Sequence, residues 1–344
     1  MLMSRDLLQK DEASRYERRS PLLEVADLSV GYRTRAGTVR AVDHVSLTLE
    51  PGESIGIVGE SGSGKSTLVM SFLRILPPDK TEIDGAVLFD GTDVLRCSEE
   101  ELRAIRWKRA SIVFQKAMNS LSPVHKVVEQ VEDIYRVHAP RATREEIMER
   151  ILYLFGVVNL APRVLELYPH ELSGGMLQRV SIALSLVHLP ELVIFDEATT
   201  ALDVITQAQI LDEVSRLQRE LKLTSVTVTH DISVVARTCN RVAVMYAGRL
   251  VEAGDTATVL ARPLHPYTEG LLRSFPSLAG QRQRIRGIPG SLPDLRCPVA
   301  GCIFASRCPD AFDLCRKEAP VPVLISQGPT PHVVACHKYG GGGE

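Results

Sequence analysis

The chain has 344 residues, enough to bury one large core and a small appendage. Its 40 Lys and Arg against 42 Asp and Glu leave a formal net charge of -2, which excludes the global basic field of a protein dedicated to nucleic acid. No apolar run approaches the ~18 residues of a membrane helix, which excludes a helical membrane span within this sequence.

Residues 1–20 are rich in Arg, Asp and Glu and lack the apolar run and cleavage site of a secretory signal, which predicts a charged extension on a chain that stays in the cytoplasm. From Leu22 to Val58, the segments LLEVADLSV, VRAVDHVSLTLE and SIGIV alternate as short strands separated by turn residues such as Pro51 and Gly52. They predict an antiparallel sheet leading into a buried parallel strand. GESGSGKST, Gly59 to Thr67, follows at once and fits G-x-x-x-x-G-K-[ST] between an apolar strand and a helix-forming stretch. Gly59, Gly62 and Gly64 allow a curl whose amides, with those of Ser61 and Ser63, face phosphate oxygens, and the helix dipole adds attraction for anions. Lys65 is the candidate contact to the β and γ phosphates, Ser66 the candidate magnesium ligand, and Thr67 a support for the cradle. A Gly/Ser-rich turn before an ordinary helix is the plainer alternative; the strand context weighs against it.

From about Val94 to Val187 the charged stretches EEELRAIRWKR and TREEIMERILYLFG carry apolar residues at helical spacing, predicting a helical subdomain inserted into the sheet domain. HELSGGMLQR then puts Ser173, Gly174 and Gly175 at a helix N-terminus, either as a second anion site or as a simple Ser/Gly cap. LVIFDE brings Asp196 and Glu197 to the end of a buried strand, where carboxylates are costly without ionic work. Asp196 is the candidate for the magnesium shell and Glu197 the candidate general base. ELVIFDE and TSVTVTH, separated by helical pattern, argue for a parallel sheet flanked by helices. RVAVMYAGRLVEAGD predicts a hairpin turning at Ala247 and Gly248. After Pro263 the chain turns rich in Pro, Gly and Cys and predicts a loop-rich module, with a flexible tail at 340–344. Cys97 and Cys239 stand alone, whereas Cys297, Cys302, Cys308, Cys315 and Cys336 crowd the last fifth; in a cytosolic chain that favours a metal or redox site over a disulfide framework.

The order of these motifs carries a resemblance. LSGGM ahead of LVIFDE, with Tyr32 before the phosphate loop, Gln115 in IVFQ, Ala201-Leu202-Asp203 after the acids and His230 in TVTHD, resembles the ABC ATPases over nearly all of residues 22–337. HPYTEGLL, IPGSLPDL, GCIFASRCPDAFDLC and HVVACH resemble the C-terminal extension of dipeptide, oligopeptide and nickel importer ATPases. The resemblance implies an α/β fold: an ABC-type P-loop ATPase with a mixed β core, an antiparallel β subdomain, the inserted helical subdomain and a small Cys-rich module. Residues 21–262 would form the ATPase domain and 263–339 the module.

The resemblance also implies roles. Tyr32 stacks on adenine; Gln115 senses magnesium and the γ phosphate while meeting a membrane subunit; Asp203 crosses a dimer interface; His230 contacts the γ phosphate and helps hold the attacking water and Glu197. ATP and Mg2+ are the implied ligands, with two ATPs between two head-to-tail ATPase domains, two permease subunits, an extracytoplasmic binding protein, and a location on the cytoplasmic face of the membrane. A heterodimer with a similar ATPase is favoured, although a homodimer is chemically competent. Cys302, Cys308, Cys315 and Cys336 match four cysteines that can hold a 4Fe-4S cluster in this subfamily; zinc and no metal stay open. The substrate by default is peptide, with nickel or oligosaccharide as alternatives, and a soluble ABC ATPase of DNA repair, chromosome organisation or translation is the reading from another class. Three positions depart from the family pattern: Lys116-Ala117 after Gln115, Leu177 after the signature, and Ala198 after Glu197.

Overall fold

The computed structural model describes residues 20–114, 121–198, 203–274, 287–297, 299–326 and 330–340. The chain opens with β1 (Leu23–Thr34) and β2 (Gly37–Leu49), an antiparallel hairpin closed by the pair Thr34 and Gly37, with alternating burial along β2. β3 (Ser54–Val58) enters the core, and α1 (Lys65–Ser71) leaves it. β4 (Thr81–Phe89) returns to pair antiparallel with β1, and β5 (Thr92–Asp93) completes a sheet of order β2-β1-β4-β5.

Next comes α2 (Glu99–Ile105), started by a capping box in which Ser98 and Glu101 satisfy each other's backbone amides. β6 (Ala110–Val113) follows, then α3 (Val127–His138), α4 (Arg144–Val157), opened by a second capping box between Thr143 and Glu146, and α5 (Gly174–Ser185). Ile151, Leu154 and Phe155 of α4 and Val180 and Ala183 of α5 form the centre of a core separate from that under the sheets. The span read as helical therefore contains β6. With four residues, ASIV, this strand is too short to show a period, yet it is the edge of the main sheet.

The main sheet is completed by β7 (Leu192–Asp196), α6 (Val204–Glu220), β8 (Thr224–Thr229), α7 (Ile232–Thr238), β9 (Arg241–Tyr246) and β10 (Arg249–Asp255). Ala247 and Gly248, both at positive φ (47° and 88°), make the tight turn between β9 and β10. After α8 (Thr256–Ala261) and α9 (Pro266–Arg273) come α10 (Asp313–Lys317), β11 (Val323–Ser326), β12 (His332–Val334) and α11 (His337–Gly340).

The main sheet has eight strands in the order β11-β12-β10-β9-β3-β8-β7-β6, with β3 parallel to both β8 and β9. Two features of the module were not expected from its composition. It donates β11 and β12 to the sheet, and it packs the fully buried Phe304 against Tyr246 and Tyr267. A Pro- and Cys-rich stretch hides such strands because the partner, β10, supplies the pairing that the local sequence does not advertise. Among the described residues no helix is long and apolar enough to cross a membrane.

Candidate nucleotide site

The phosphate loop hangs from the central strand. Ile55, Ile57 and Val58 are fully buried, and both neighbours of β3 run parallel to it, so the loop emerges at the C-terminal edge of the sheet where such folds bind ligands. The glycines here are steric necessities. A Cβ on Gly59 would stand 2.1 Å from the Met245 carbonyl oxygen, and one on Gly64, at φ +97°, would stand 2.0 Å from that of Ala41. Lys65 is 4% exposed and folds back over the loop, donating to the carbonyls of Gly59 and Glu60 at 2.8 Å each and to Ser63 Oγ at 3.3 Å. Burial pushes its pKa down, against the pull of Glu197, Asp196 and Glu60.

Ser66, in the first turn of α1, donates through Oγ to Asp196 Oδ1 at 2.9 Å, joining the helix after β3 to the end of β7. Burial raises the Asp196 pKa, the Ser66 bond opposes the rise, and the Glu197 charge adds to it. This hydroxyl and carboxylate are hard oxygen donors side by side, chemically suited to magnesium. Glu197 stands at φ +48°, a left-handed conformation uncommon for a non-glycine residue, and its amide donates to Val228 O at 2.9 Å. The turn aims its Oε1 at Nδ1 of His230, 3.6 Å away, from the loop after β8. Glu197, Gln207, Thr227 and His230 line a cleft of 140 Å³, well below the roughly 300–1,000 Å³ of an enclosing ligand pocket.

Tyr32, half-buried on β1, places its hydroxyl 3.2 Å from Thr67 Oγ1, so its ring stands beside the phosphate helix. Ser173 caps α5, its side chain accepting from the Met176 amide at 3.3 Å, with Gly174 exposed beside it. The 12-residue helix thus presents its N-terminus to solvent. Asp203 caps α6, accepting from the amides of Ile205 and Thr206 at 3.1 and 3.0 Å. Gln115, Lys116, Ala117, Ala201 and Leu202 lie outside the described residues. Leu177 is 5% exposed in the helical core, which accounts for an apolar residue at that departure from the family pattern.

A family model described as ABC transporter matches residues 42–200, and one described as the oligopeptide/dipeptide transporter C-terminal region matches residues 251–315. A probable peptide ABC transporter ATP-binding protein of Sinorhizobium fredii is 44% identical, over 92% of this chain and 95% of its own. The dipeptide transport ATP-binding protein DppD of Caldanaerobacter subterraneus is 43% identical over 93% and 98%, and the oligopeptide transport ATP-binding protein OppD of Salmonella typhimurium 42% over 87% and 90%. The chain belongs to the ATP-binding subunits of peptide ABC transporters. Among solved structures, cbiO1 of Clostridium perfringens, part of the ABC transporter complex cbiONQ, aligns at a TM-score of 0.60 and 30% identity over 71% of this chain and 92% of its own. The dimeric cassette MJ0796 aligns at 0.61 and 30% over 68% and 98%.

In this ABC ATPase the cysteines are placed as follows. All seven are free thiols; Cys315 is buried, Cys302, Cys308 and Cys336 are half-buried, and Cys297 is exposed. The Cys302 amide donates to the Cys315 carbonyl at 2.8 Å, and the Cys302 thiol, pushed up first by burial, also feels the charges of Cys315, Cys336 and Cys308. Among the described residues no three or more His, Cys, Asp or Glu side chains are disposed to hold a metal ion.

Sequence reasoning missed Glu60, Arg307 and Tyr267. Arg307 grips the Glu60 carboxylate with both terminal nitrogens at 2.8 and 2.9 Å, and the Tyr267 hydroxyl accepts from the Glu60 amide at 2.8 Å. The missed signal was electrostatic: an acid inside an anion-binding loop calls for a cation elsewhere in the chain.

Proposed function

We propose that this ATPase hydrolyses ATP at Gly59–Thr67 to drive peptide import through separate permease subunits at the cytoplasmic face of the membrane. The supporting observation is that Lys65, the Ser66–Asp196 pair, Glu197 and His230 lie around one loop, while Ser173 offers a second helix N-terminus to solvent. Ser66 and Asp196 would hold magnesium, whose positive charge would neutralise that of the phosphates. Glu197 takes the proton of the attacking water, and His230 fixes the Glu197 carboxylate and the γ phosphate. Lys65 leaves the loop carbonyls for the phosphates. Tyr32 stacks on the adenine, and Gln115 links magnesium to the permease.

Two cassettes, this one and a similar partner, sandwich the ATPs head to tail, so that Ser173, Gly174 and Gly175 of one meet the γ phosphate on the other and Asp203 crosses between them. The exposed N-terminus of α5 at Ser173 and Gly174 supports this, because it leaves a helix end free to meet a phosphate from outside the chain. A binding protein supplies the peptide; the relatives named for dipeptide and oligopeptide transport support that substrate class. Cys302, Cys308, Cys315 and Cys336 hold a 4Fe-4S cluster with a structural role. The support for iron over zinc is the likeness of these four positions to the cysteines of the peptide-importer C-terminal extension, and four thiolates suffice to ligate a four-iron cluster.

The test is Glu197→Gln in the assembled transporter. ATP binding is retained and hydrolysis falls by about 10²–10⁴-fold, with the closed dimer accumulating. Near-normal turnover would remove Glu197 from its role.

A further inference from the structure

We infer that Arg307 is a positioning residue of the nucleotide site: from the C-terminal module it neutralises and holds Glu60, keeping that carboxylate away from the triphosphate. The inference rests on ATP binding at the Gly59–Thr67 loop. Glu60 is the second residue of that loop, and a fixed negative charge there opposes a ligand that is itself strongly anionic. Every polar group of Glu60 is held in place. Its amide donates to Tyr267 Oη, its carbonyl accepts from Lys65 Nζ, and its carboxylate oxygens each accept from one Arg307 nitrogen.

The guanidinium is spent entirely on this junction. Nε donates to Pro289 O at 2.8 Å, Nη1 also to Tyr246 Oη at 3.2 Å, and Nη2 also to Ile288 O at 3.1 Å, so that with the Glu60 fork all five N–H groups are used. The side chain is 5% exposed and its guanidinium lies 5.6 Å from the Tyr246 ring centre. A buried, fork-matched pair of this kind is specific, because a lysine could not reproduce it. Residues 292–295 lie against the same region: a Cβ on Gly62 of the loop would meet Leu292 Cδ1 at 3.4 Å, and the amide of Arg40 on β2 donates to Leu295 O at 3.0 Å. Arg307 directly precedes Cys308, so it ties the cysteine segment to the carboxylate of the phosphate loop.

The experiment is equilibrium binding of a fluorescent ATP analogue, with magnesium, to the full-length chain carrying Arg307→Ala, Glu60→Gln or both. Arg307→Ala weakens binding by about tenfold or more, as expected for leaving a part-buried carboxylate unpaired beside the phosphates. Adding Glu60→Gln restores most of that affinity while the melting temperature stays where Arg307→Ala put it, since the Arg307 junction remains broken. Arg307→Lys, which keeps the charge and loses the fork, gives a smaller loss with the same restoration and serves if the alanine variant does not fold. Wild-type affinity in Arg307→Ala, or a loss that Glu60→Gln does not relieve, overturns the inference and reduces Arg307 to a packing residue. Lys65→Ala supplies the baseline of a disabled nucleotide site, so a failed clamp is distinguishable from a failed site.

Discussion

Asp196 shows how a single side chain trades stability for chemistry. It is 4% exposed, and burial raises its pKa against the one hydrogen bond from Ser66. A carboxyl whose folded pKa is raised stabilises the fold fully below the unfolded value near 3.8, and that stabilisation is lost as pH rises through the folded pKa. At neutral pH the ionised group is therefore a net cost. Asp196→Asn keeps the acceptor for Ser66 and removes the charge; it raises the stability of the nucleotide-free chain by about 1 kcal/mol at neutral pH, flattens its acid profile, and abolishes hydrolysis. Melting curves across pH check the first two effects, and a destabilised variant would contradict them. The two acids were legible in the sequence because carboxylates at the end of an apolar run are physically anomalous. The left-handed backbone of Glu197 was not, since the sign of φ at a non-glycine residue leaves no mark in the sequence.

Among the elements, α9 is the one that fastens the module to the core. His265 caps it, accepting the Tyr267 amide at Nδ1, while the amides of Leu264 and His265 donate to Glu252, a 1% exposed residue of β10 that also binds His332 of β12 at 2.9 Å. Burial lowers the His265 pKa to about 4. A histidine with a depressed folded pKa gives its full stabilisation above the unfolded value of 6.5 and loses it as pH falls towards 4. Over that window the wild type loses on the order of 3 kcal/mol that His265→Asn, which keeps an acceptor for the Tyr267 amide, does not lose. Denaturant titrations of both proteins between pH 7.5 and 4.5 measure the difference; equal slopes would exclude His265 as the source. Strands with strong apolar pattern, β3, β7 and β8, were readable, as was the β9–β10 turn. β6, β11 and β12 were not, because strands of three or four residues owe their existence to a neighbour rather than to their own period.

At the scale of the whole molecule, the cysteine module and the ATPase core share one sheet and one buried junction. Replacing Cys302, Cys308, Cys315 and Cys336 together by Ser removes iron and sulfide from the anaerobically purified protein and makes residues 299–340 the first to be cut by protease. One cluster per wild-type chain, found by iron and sulfide analysis, is the expected stoichiometry; zinc or no metal in the wild type would refute the cluster. The ATPase core was legible because its motifs are local and ordered. The junction was not, because Glu60 and Arg307 are 247 positions apart and neither is unusual alone.

The order of strands has a consequence for how the protein is made. β3 carries the phosphate loop near the start of the chain, but its neighbours are β8 and β9, drawn from residues 224–229 and 241–246. During synthesis the loop therefore leaves the ribosome long before the strands that shape it, and Met245, whose carbonyl walls Gly59, is among the last of them to arrive. A nascent chain interrupted before that point has the complete phosphate motif and no ATP site. Only a chain made past β9 can draw on the nucleotide pool, and until then the edges of β3 stand unpaired, because pairing between strands so distant in sequence is slow.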